Sequence, residues 1–129
     1  MLTINIDDVC SIIQLAHQFH AKESVVFPED DDAGGEDWAM QVLADHGSDP
    51  TYQELKYEIE ALSPADQLQL VVLMWIGRGD FSAAEWDDAV REAAGARGTN
   101  TAGYLIGTPL VADYLEEALA EFGHSCNED

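Results

Sequence analysis

The sequence predicts an all-α fold, a single compact bundle of six or seven short helices around a central apolar helix at about residues 64–76. The first observation behind this prediction is an almost unbroken apolar run from Leu68 to Ile76, which is typical of a helix buried on most sides. The second is the absence of a clear alternating pattern of the kind that half-buried strands show. The third is a polar residue directly before proline, a helix-opening pattern that occurs at Asp49-Pro50, Ser63-Pro64 and Thr108-Pro109.

The central helix is predicted to begin at Pro64, because the Ser63 hydroxyl can accept from the free amides of the first turn and proline needs no amide there. A buried strand is the alternative interpretation of VVLMWI, which periodicity alone does not exclude; the Ser-Pro start and the helical neighbours favour a helix. The apolar run of about nine residues is far shorter than the roughly 20 that a membrane crossing needs. We expect Gly77 to end the helix, with Arg78 beside the last carbonyl groups.

The next segment, GRGDFS, is interpreted as a corner between two helices. Asp80 or Ser82 can cap the following helix, and Ser82 with Glu85 is a capping-box pattern. That helix is predicted from Ala83 to about Ala96. The letters Arg-Gly-Asp also spell a cell-adhesion tripeptide, but the corner is the favoured interpretation because no secretion signal is recognisable in the sequence.

The remaining helices are predicted from their caps and apolar stripes. A first helix begins after Asn5 or Asp7 and runs to about Lys22, a loop rich in acids, glycine and proline covers about 23–36, and the tail at about 124–129 is expected to be disordered. The other predicted helices span 37–46, 50–62, 99–106 and 109–122, and residues 1–129 are expected to form one domain. Two surface ion pairs are expected on helices, Lys56 with Glu60 and Asp87 with Arg91.

The charge balance is unusual, because 26 acidic residues against 5 basic ones give a formal net charge of -21. Such a surface repels the phosphates of nucleic acids and of anionic membranes, so direct binding to either is not expected. Three interpretations of the acidity are open: adaptation to a salty cell interior, a solubility device, or attraction to a basic partner. The first two are favoured because the acids are spread along every helix.

The two cysteines, Cys10 and Cys126, lie near opposite ends of the chain. We expect both to be reduced thiols in a cytoplasmic protein, because a disulfide would have to join the first helix to a frayed end. The segment MLTINIDD has neither the basic region nor the apolar core of an export signal, which also predicts a cytoplasmic location.

Familiar catalytic and metal-binding signatures are absent from the sequence, so no catalytic residue and no cofactor is assigned. The acidic loop follows the calcium-loop spacing at Asp30, Asp32 and Gly35, but Gln41 fills the place that requires a bidentate acid. His17 and His20 lie three residues apart on the first helix. No third ligand follows nearby at a suitable spacing, so no metal site is expected.

The scarce positive charges mark the best candidate for a contact surface. The only arginines, Arg78, Arg91 and Arg97, lie within one 20-residue stretch. We interpret these three residues, with Asp80, as a candidate surface for a protein partner or for self-association. The alternative is that each arginine caps a helix end or pairs with a neighbouring acid. Four large aromatic residues are expected mostly in the core, and an exposed one would mark an interface: Trp38, Trp75, Trp86 and Tyr104.

Four segments together resemble a known family. They are INIDDV near the start, DPTYQEL, LVVLMWIGRGDF with EW shortly after, and TAGYLIGTPLVADYLEEAL. On these segments the chain resembles the bacterial domain of unknown function 3775 family, from Ile4 to about Leu119. The resemblance implies a bacterial cytoplasmic protein of unknown role, and it supplies no activity, cofactor or catalytic residue.

Three functions are therefore open from the sequence. The favoured one is a non-enzymatic module that binds another protein or associates with itself as a homodimer. The first alternative is an acidic decoy that imitates DNA and binds a basic protein, which requires carboxylates in rows at phosphate-like spacing. The second alternative is a small enzyme of unknown reaction, which requires a closed pocket.

Overall fold

The structure, a computed structural model, describes residues 2–21, 49–96, 100–108 and 110–126, which form six α-helices and no strand. This confirms the predicted all-α fold. None of the helices in the described ranges has both the length and the apolar content that crossing a membrane requires. The predicted acidic loop at about 23–36 and the predicted helix at 37–46 lie outside the described residues. The helices are α1 (Ile6–Ala21), α2 (Pro50–Glu60), α3 (Pro64–Arg78), α4 (Trp86–Ala96), α5 (Thr101–Ile106) and α6 (Val111–Glu121).

Helix α3 lies at the centre of the bundle, as its apolar run predicts. It packs most extensively against α6 and also contacts α4 and α5. Its first turn is capped as expected, because Ser63 Oγ accepts from the Asp66 amide at 3.1 Å. The middle of α3 is buried on nearly every side, including Leu70, Val71, Val72, Leu73, Met74 and Ile76.

The predicted end of α3 at Gly77 is wrong. The helix continues through Arg78, and Gly79 takes the left-handed conformation at φ +99°. Gly77 instead lies where α3 meets α6: a Cβ at this position would be 1.8 Å from the Tyr114 carbonyl oxygen. The glycine is therefore needed for close helix packing, and the turn is made two residues later.

Helix α2 begins where the sequence predicts. Asp49 Oδ1 accepts from the Thr51 amide at 2.8 Å and from the Tyr52 amide at 3.2 Å. The expected pair between Lys56 and Glu60 is present at 3.4 Å. Helix α1 packs against both α2 and α6, so the N-terminal helix closes one side of the bundle.

The helix predicted from Ala83 starts with a different geometry. Residues Ala83–Glu85 form a 3₁₀ turn, and the α-helix begins at Trp86. Glu85 fulfils its part of the predicted capping box, because its carboxylate accepts from the Ser82 amide at 2.8 Å. Arg91 pairs with Asp88, three residues earlier, and not with Asp87 as predicted. An i, i+3 partner is equally close on a helix surface.

The start predicted for the last helix is also displaced. Helix α6 begins at Val111, and Leu110 before it has φ +65° and an exposed side chain. Among the described residues no side chain caps the first turn of this helix, and the Thr108 Oγ1 donates instead to the Tyr104 carbonyl at 2.7 Å. Helix α5 is capped by Asn100, whose Oδ1 accepts from the Gly103 amide at 3.0 Å.

The expectation of two reduced thiols is wrong in this structure. Cys10 on α1 and Cys126 after α6 form a disulfide, with their Cα atoms 5.5 Å apart. The expectation assumed that the end of the chain lies away from the first helix. Helices α1 and α6 pack side by side, however, and this brings the residues after α6 back to α1.

Candidate functional site

Arg78 and Asp80, two of the four predicted contact residues, form a local pair at the end of α3. Arg78 Nε and Nη2 both donate to Asp80 Oδ2, at 3.0 and 2.7 Å. Partial burial lowers the pKa of Arg78, but the hydrogen bond and charge of Asp80, together with the interaction with Tyr104, outweigh that effect and raise the pKa above its ordinary value. The guanidinium is thus held in one orientation and remains charged.

The other predicted arginines are not part of this pair. Arg91 lies on α4 with a side chain that is 72% exposed, and it pairs with Asp88 on the same helix. In the part of the chain that the structure describes, no hydrogen bond or ion pair joins Arg91 to Arg78 or Asp80. Arg97 lies outside the described residues. The structure therefore shows two local pairs and does not show one cluster of three arginines.

Three partly exposed aromatic rings lie at the end of α3 and beside it, and one of them, Tyr104, interacts with Arg78. Trp75 stacks on Phe81, with ring centroids 5.9 Å apart and ring planes inclined by 25°. Trp75 Nε1 donates to the Tyr104 hydroxyl at 3.1 Å, and Tyr104 also interacts with Arg78. We call Trp75, Arg78, Asp80, Phe81 and Tyr104 the aromatic corner. Its three rings are only partly buried against the core.

The turn at Gly79 produces this arrangement. The Gly79 amide donates to the Ile76 carbonyl and the Asp80 amide donates to the Trp75 carbonyl, at 3.1 and 2.9 Å. These two bonds form the helix ending in which a left-handed glycine reverses the chain. The reversal places Asp80 beside Arg78 and Phe81 against Trp75. The sequence predicts the corner and places Trp75 and Tyr104 mostly in the core, but both rings are only partly buried, because a half-buried ring and a fully buried ring have the same helical spacing. The sequence gives no expectation for Phe81, which follows the end of α3 and belongs to no helical stripe. Trp86, by contrast, is buried as expected.

A second cluster lies where α1 meets α6. His17 Nε2 is 3.9 Å from Asp113 Oδ1 and 3.6 Å from Glu116 Oε2. The three ligand atoms all lie within 4.8 Å of one another. The sequence shows no third ligand near His17, because the two carboxylates lie on the last helix. His20 does not join the cluster: its Nε2 lies 3.0 Å from the Ile106 carbonyl oxygen, and burial lowers its pKa.

An open groove of about 500 Å³ runs beside this cluster. The disulfide forms part of its wall, and a smaller groove of about 240 Å³ lies on the other side of Glu116 and Cys126. The residues after α6 therefore help to shape the surface next to His17. The larger groove is lined mainly by α1 residues, namely Asp7, Cys10, Ser11, Ile13, Gln14 and His17, together with Glu116 and Cys126.

The aromatic corner, Asp113 and Glu116 all lie inside the segment that matches a family model. The model, described as protein of unknown function (DUF3775), matches residues 52–124, which is more than half of the chain. No curated protein and no solved structure matches the chain. Helix α1 precedes the matched segment, so the fold and sites of this chain combine the family segment with an N-terminal helix packed on it. The chain belongs to the DUF3775 family of proteins of unknown function.

Proposed function

We propose that the protein is a non-enzymatic protein-binding domain and that the aromatic corner is its contact surface. The observation that carries the proposal is a group of three connected, partly exposed aromatic rings, of which Tyr104 also interacts with the paired Arg78. Tryptophan, tyrosine and arginine are the residue types that most often dominate the binding energy of protein interfaces. The corner presents all three types within one turn and the adjoining α5.

The corner is also well ordered before any partner binds. Trp75 is held by its stack on Phe81 and by its hydrogen bond to Tyr104. Arg78 is held by two hydrogen bonds to Asp80. Side chains that are already fixed lose less entropy when they are buried in an interface, so more of the contact energy remains as affinity.

Charge favours a partner that is a different, basic protein. The formal net charge of -21 means that two copies of this chain repel each other, and the repulsion is weakened only by salt. A partner with lysine and arginine residues around an apolar patch gains attraction from the acidic surroundings and contact area from the rings. Self-association, the other option predicted from the sequence, is therefore the less favourable one. Arg91 forms its own pair on α4 and is not needed for the contact.

The proposal is tested by site-specific cross-linking in cells. A photo-cross-linking amino acid at the exposed Ala84, beside the corner, should link one defined basic protein, and the same amino acid at the exposed Glu54 on α2 should not. The captured protein is then purified and its affinity for the chain is measured by calorimetry. We expect Phe81→Ala to weaken binding by about 30-fold or more, the usual effect of losing a dominant interface residue.

Two further variants separate binding from folding. Tyr104→Phe removes the hydroxyl bonded to Trp75 and keeps the ring, whereas Tyr57→Ala removes a ring that is 71% exposed on α2. The first should weaken binding with little change in thermal stability, and the second should leave binding unchanged. Equal affinity for the wild type and for Phe81→Ala would contradict the proposal. If both proteins bind equally tightly and both lose most of their affinity at high salt, the acidic surface as a whole binds the partner, as a DNA-mimicking decoy would.

A further inference from the structure

Three side chains with metal-binding atoms meet at the contact between α1 and α6. His17 contributes an imidazole nitrogen, and Asp113 and Glu116 contribute carboxylate oxygens. We infer that these three residues bind a transition-metal dication, with Zn²⁺ as the best match. The inference is independent of the protein-binding function proposed above, because it concerns a different set of residues on different helices.

The distances are close to those that a bound ion requires. Zn²⁺ lies about 2.0–2.2 Å from nitrogen and oxygen ligands, which places neighbouring ligand atoms of a tetrahedral site roughly 3.4 Å apart. His17 Nε2 lies 3.6 Å from Glu116 Oε2 and 3.9 Å from Asp113 Oδ1. The three ligand atoms lie within 4.8 Å of one another, so the carboxylates move by up to about 1.4 Å to reach a tetrahedral spacing. The ligands are also about half exposed, which gives them freedom to move and lets water complete the coordination.

Two rigid helices hold these ligands: α1 carries His17, and α6 carries Asp113 and Glu116. Asp113 and Glu116 are three residues apart on α6 and therefore lie on the same face of that helix. The face meets α1 because the two helices pack together, with Ala16 on α1 and Leu115 on α6 both buried. A site built from two packed helices keeps its ligands near one another without help from the ion, which reduces the cost of binding.

The ligand types favour zinc-like ions over Ca²⁺ and Mg²⁺. Imidazole is a common ligand of Zn²⁺ and of its neighbours in the first transition row, whereas Ca²⁺ and Mg²⁺ take oxygen ligands. Two carboxylates balance the charge of a dication. The net charge of -21 also raises the concentration of cations near the surface. The same charge predicts diffuse binding of many cations, so the test must separate a specific ion from that background.

Calorimetric titration with Zn²⁺ in an excess of Mg²⁺ makes this separation, because Mg²⁺ occupies the diffuse acidic sites. We expect one Zn²⁺ per disulfide-bonded chain. His17→Gln should weaken binding by at least 10- to 100-fold, since even an outer partner of a metal ligand has an effect of about that size. Glu116→Gln should act in the same direction. Glu117→Gln removes the same charge from the next, exposed residue of α6 and should leave the affinity within about twofold.

A spectroscopic measurement supplies a second readout. Titration with Co²⁺ should produce the intense visible absorption of four-coordinate Co²⁺, well above the weak absorption of the hydrated ion, and His17→Gln should abolish that increase while His124→Gln preserves it. The inference is overturned if Zn²⁺ binds His17→Gln as tightly as the wild type, or if Glu117→Gln weakens binding as much as Glu116→Gln. It is also overturned if no Zn²⁺ binds in excess Mg²⁺. His17 would then only pair with the carboxylates of Asp113 and Glu116.

Discussion

Gly77 lies inside α3, directly against the Tyr114 backbone of α6. A Cβ at Gly77 would overlap the Tyr114 carbonyl oxygen, at 1.8 Å, and the overlapping atom belongs to the backbone. A flexible side chain could rotate away from such a contact, whereas a helix backbone moves only together with its neighbours. This glycine therefore determines how closely the two most extensively packed helices approach each other.

We expect Gly77→Ala to destabilise the protein by about 1–3 kcal/mol or more, the usual cost of forcing extra volume into a packed core. Gly95 provides a matched control, because it is also helical and a Cβ there meets nothing within 4 Å. Gly95→Ala should be neutral or stabilise by up to about 1 kcal/mol, since alanine favours the helix. Urea denaturation of both variants measures the two changes. Equal stability of the two variants would contradict the predicted contact at Tyr114.

His20 is the residue whose burial predicts a pH effect. Burial lowers its pKa below the ordinary value of 6.5, and the hydrogen bond to the Ile106 carbonyl only partly opposes this. The folded protein therefore binds the His20 proton less readily than the unfolded chain does. The stabilisation from neutral His20 is complete above about pH 6.5 and is lost as the pH falls through the lowered pKa.

The measurement compares the free energy of unfolding of the wild type with that of His20→Gln between about pH 8 and pH 5. The glutamine amide can donate to the Ile106 carbonyl but does not titrate. The wild type should therefore lose stability relative to the variant as the pH falls. Taking the difference removes the effect of the many carboxylates, which both proteins share. Parallel pH profiles would show that His20 titrates as it does in the unfolded chain.

Among the elements of the fold, α1 and α6 are linked in a way that local sequence patterns do not reveal. The starts of α2 and α3 were predicted correctly, because Asp49 and Ser63 act on amides two or three residues away. The end of α3 was misplaced, since a glycine needed for packing and a glycine needed for a turn look alike in the sequence. The disulfide and the cluster at His17 were missed because both depend on which helices are neighbours in space.

The disulfide between α1 and the residues after α6 should stabilise the folded protein. Cys10 and Cys126 are separated by 116 residues, so their bond closes a very large loop in the unfolded chain. Loss of that constraint should lower the free energy of unfolding by about 3–5 kcal/mol. Guanidinium denaturation with and without a reductant measures the change. The double variant Cys10→Ser, Cys126→Ser is the control, and its stability should not respond to the reductant.

If the oxidised protein, once denatured, has two reactive thiols per chain, then Cys10 and Cys126 do not form a disulfide. The disulfide also bears on the predicted cytoplasmic location, because such bonds persist mainly in oxidising compartments. In a reducing cytoplasm the residues around Cys126 lose their covalent link to α1, next to the groove at His17. The location stays a prediction, and counting thiols in protein alkylated inside the cell would test it.

The whole molecule carries a formal net charge of -21, and the ion pairs among the described residues join only a few of its acidic side chains to basic ones. The described ion pairs are formed by exposed or half-exposed side chains, which contribute little to stability. The compact fold holds the acidic residues closer together than the unfolded chain does, and the repulsion between them opposes folding. Salt weakens that repulsion, since the screening length falls from about 10 Å at 0.1 M to about 3 Å at 1 M.

We therefore expect the thermal midpoint to rise as NaCl increases from about 0.05 to 1 M. A gain of about 1–2 kcal/mol corresponds to roughly 4–8 °C for a domain of this size. The variant Asp87→Lys, Glu92→Lys changes two exposed positions on α4 and shifts the net charge by two units at each, from -21 to -17. At low salt the thermal midpoint of this variant should be higher than that of the wild type, and it should rise less as NaCl is added.

The identity of the salt separates charge screening from a general effect on apolar burial. Sulfate strengthens the burial of apolar surface in most proteins, whereas NaCl acts here mainly through ionic strength. Screening predicts that NaCl and KCl act equally and that most of the rise occurs below about 0.5 M, where the screening length changes fastest. A midpoint that responds only to sulfate, or a double lysine variant with the same salt response as the wild type, would show that the acidic surface does not oppose folding. The acidity would then have to be explained by the partner that it attracts.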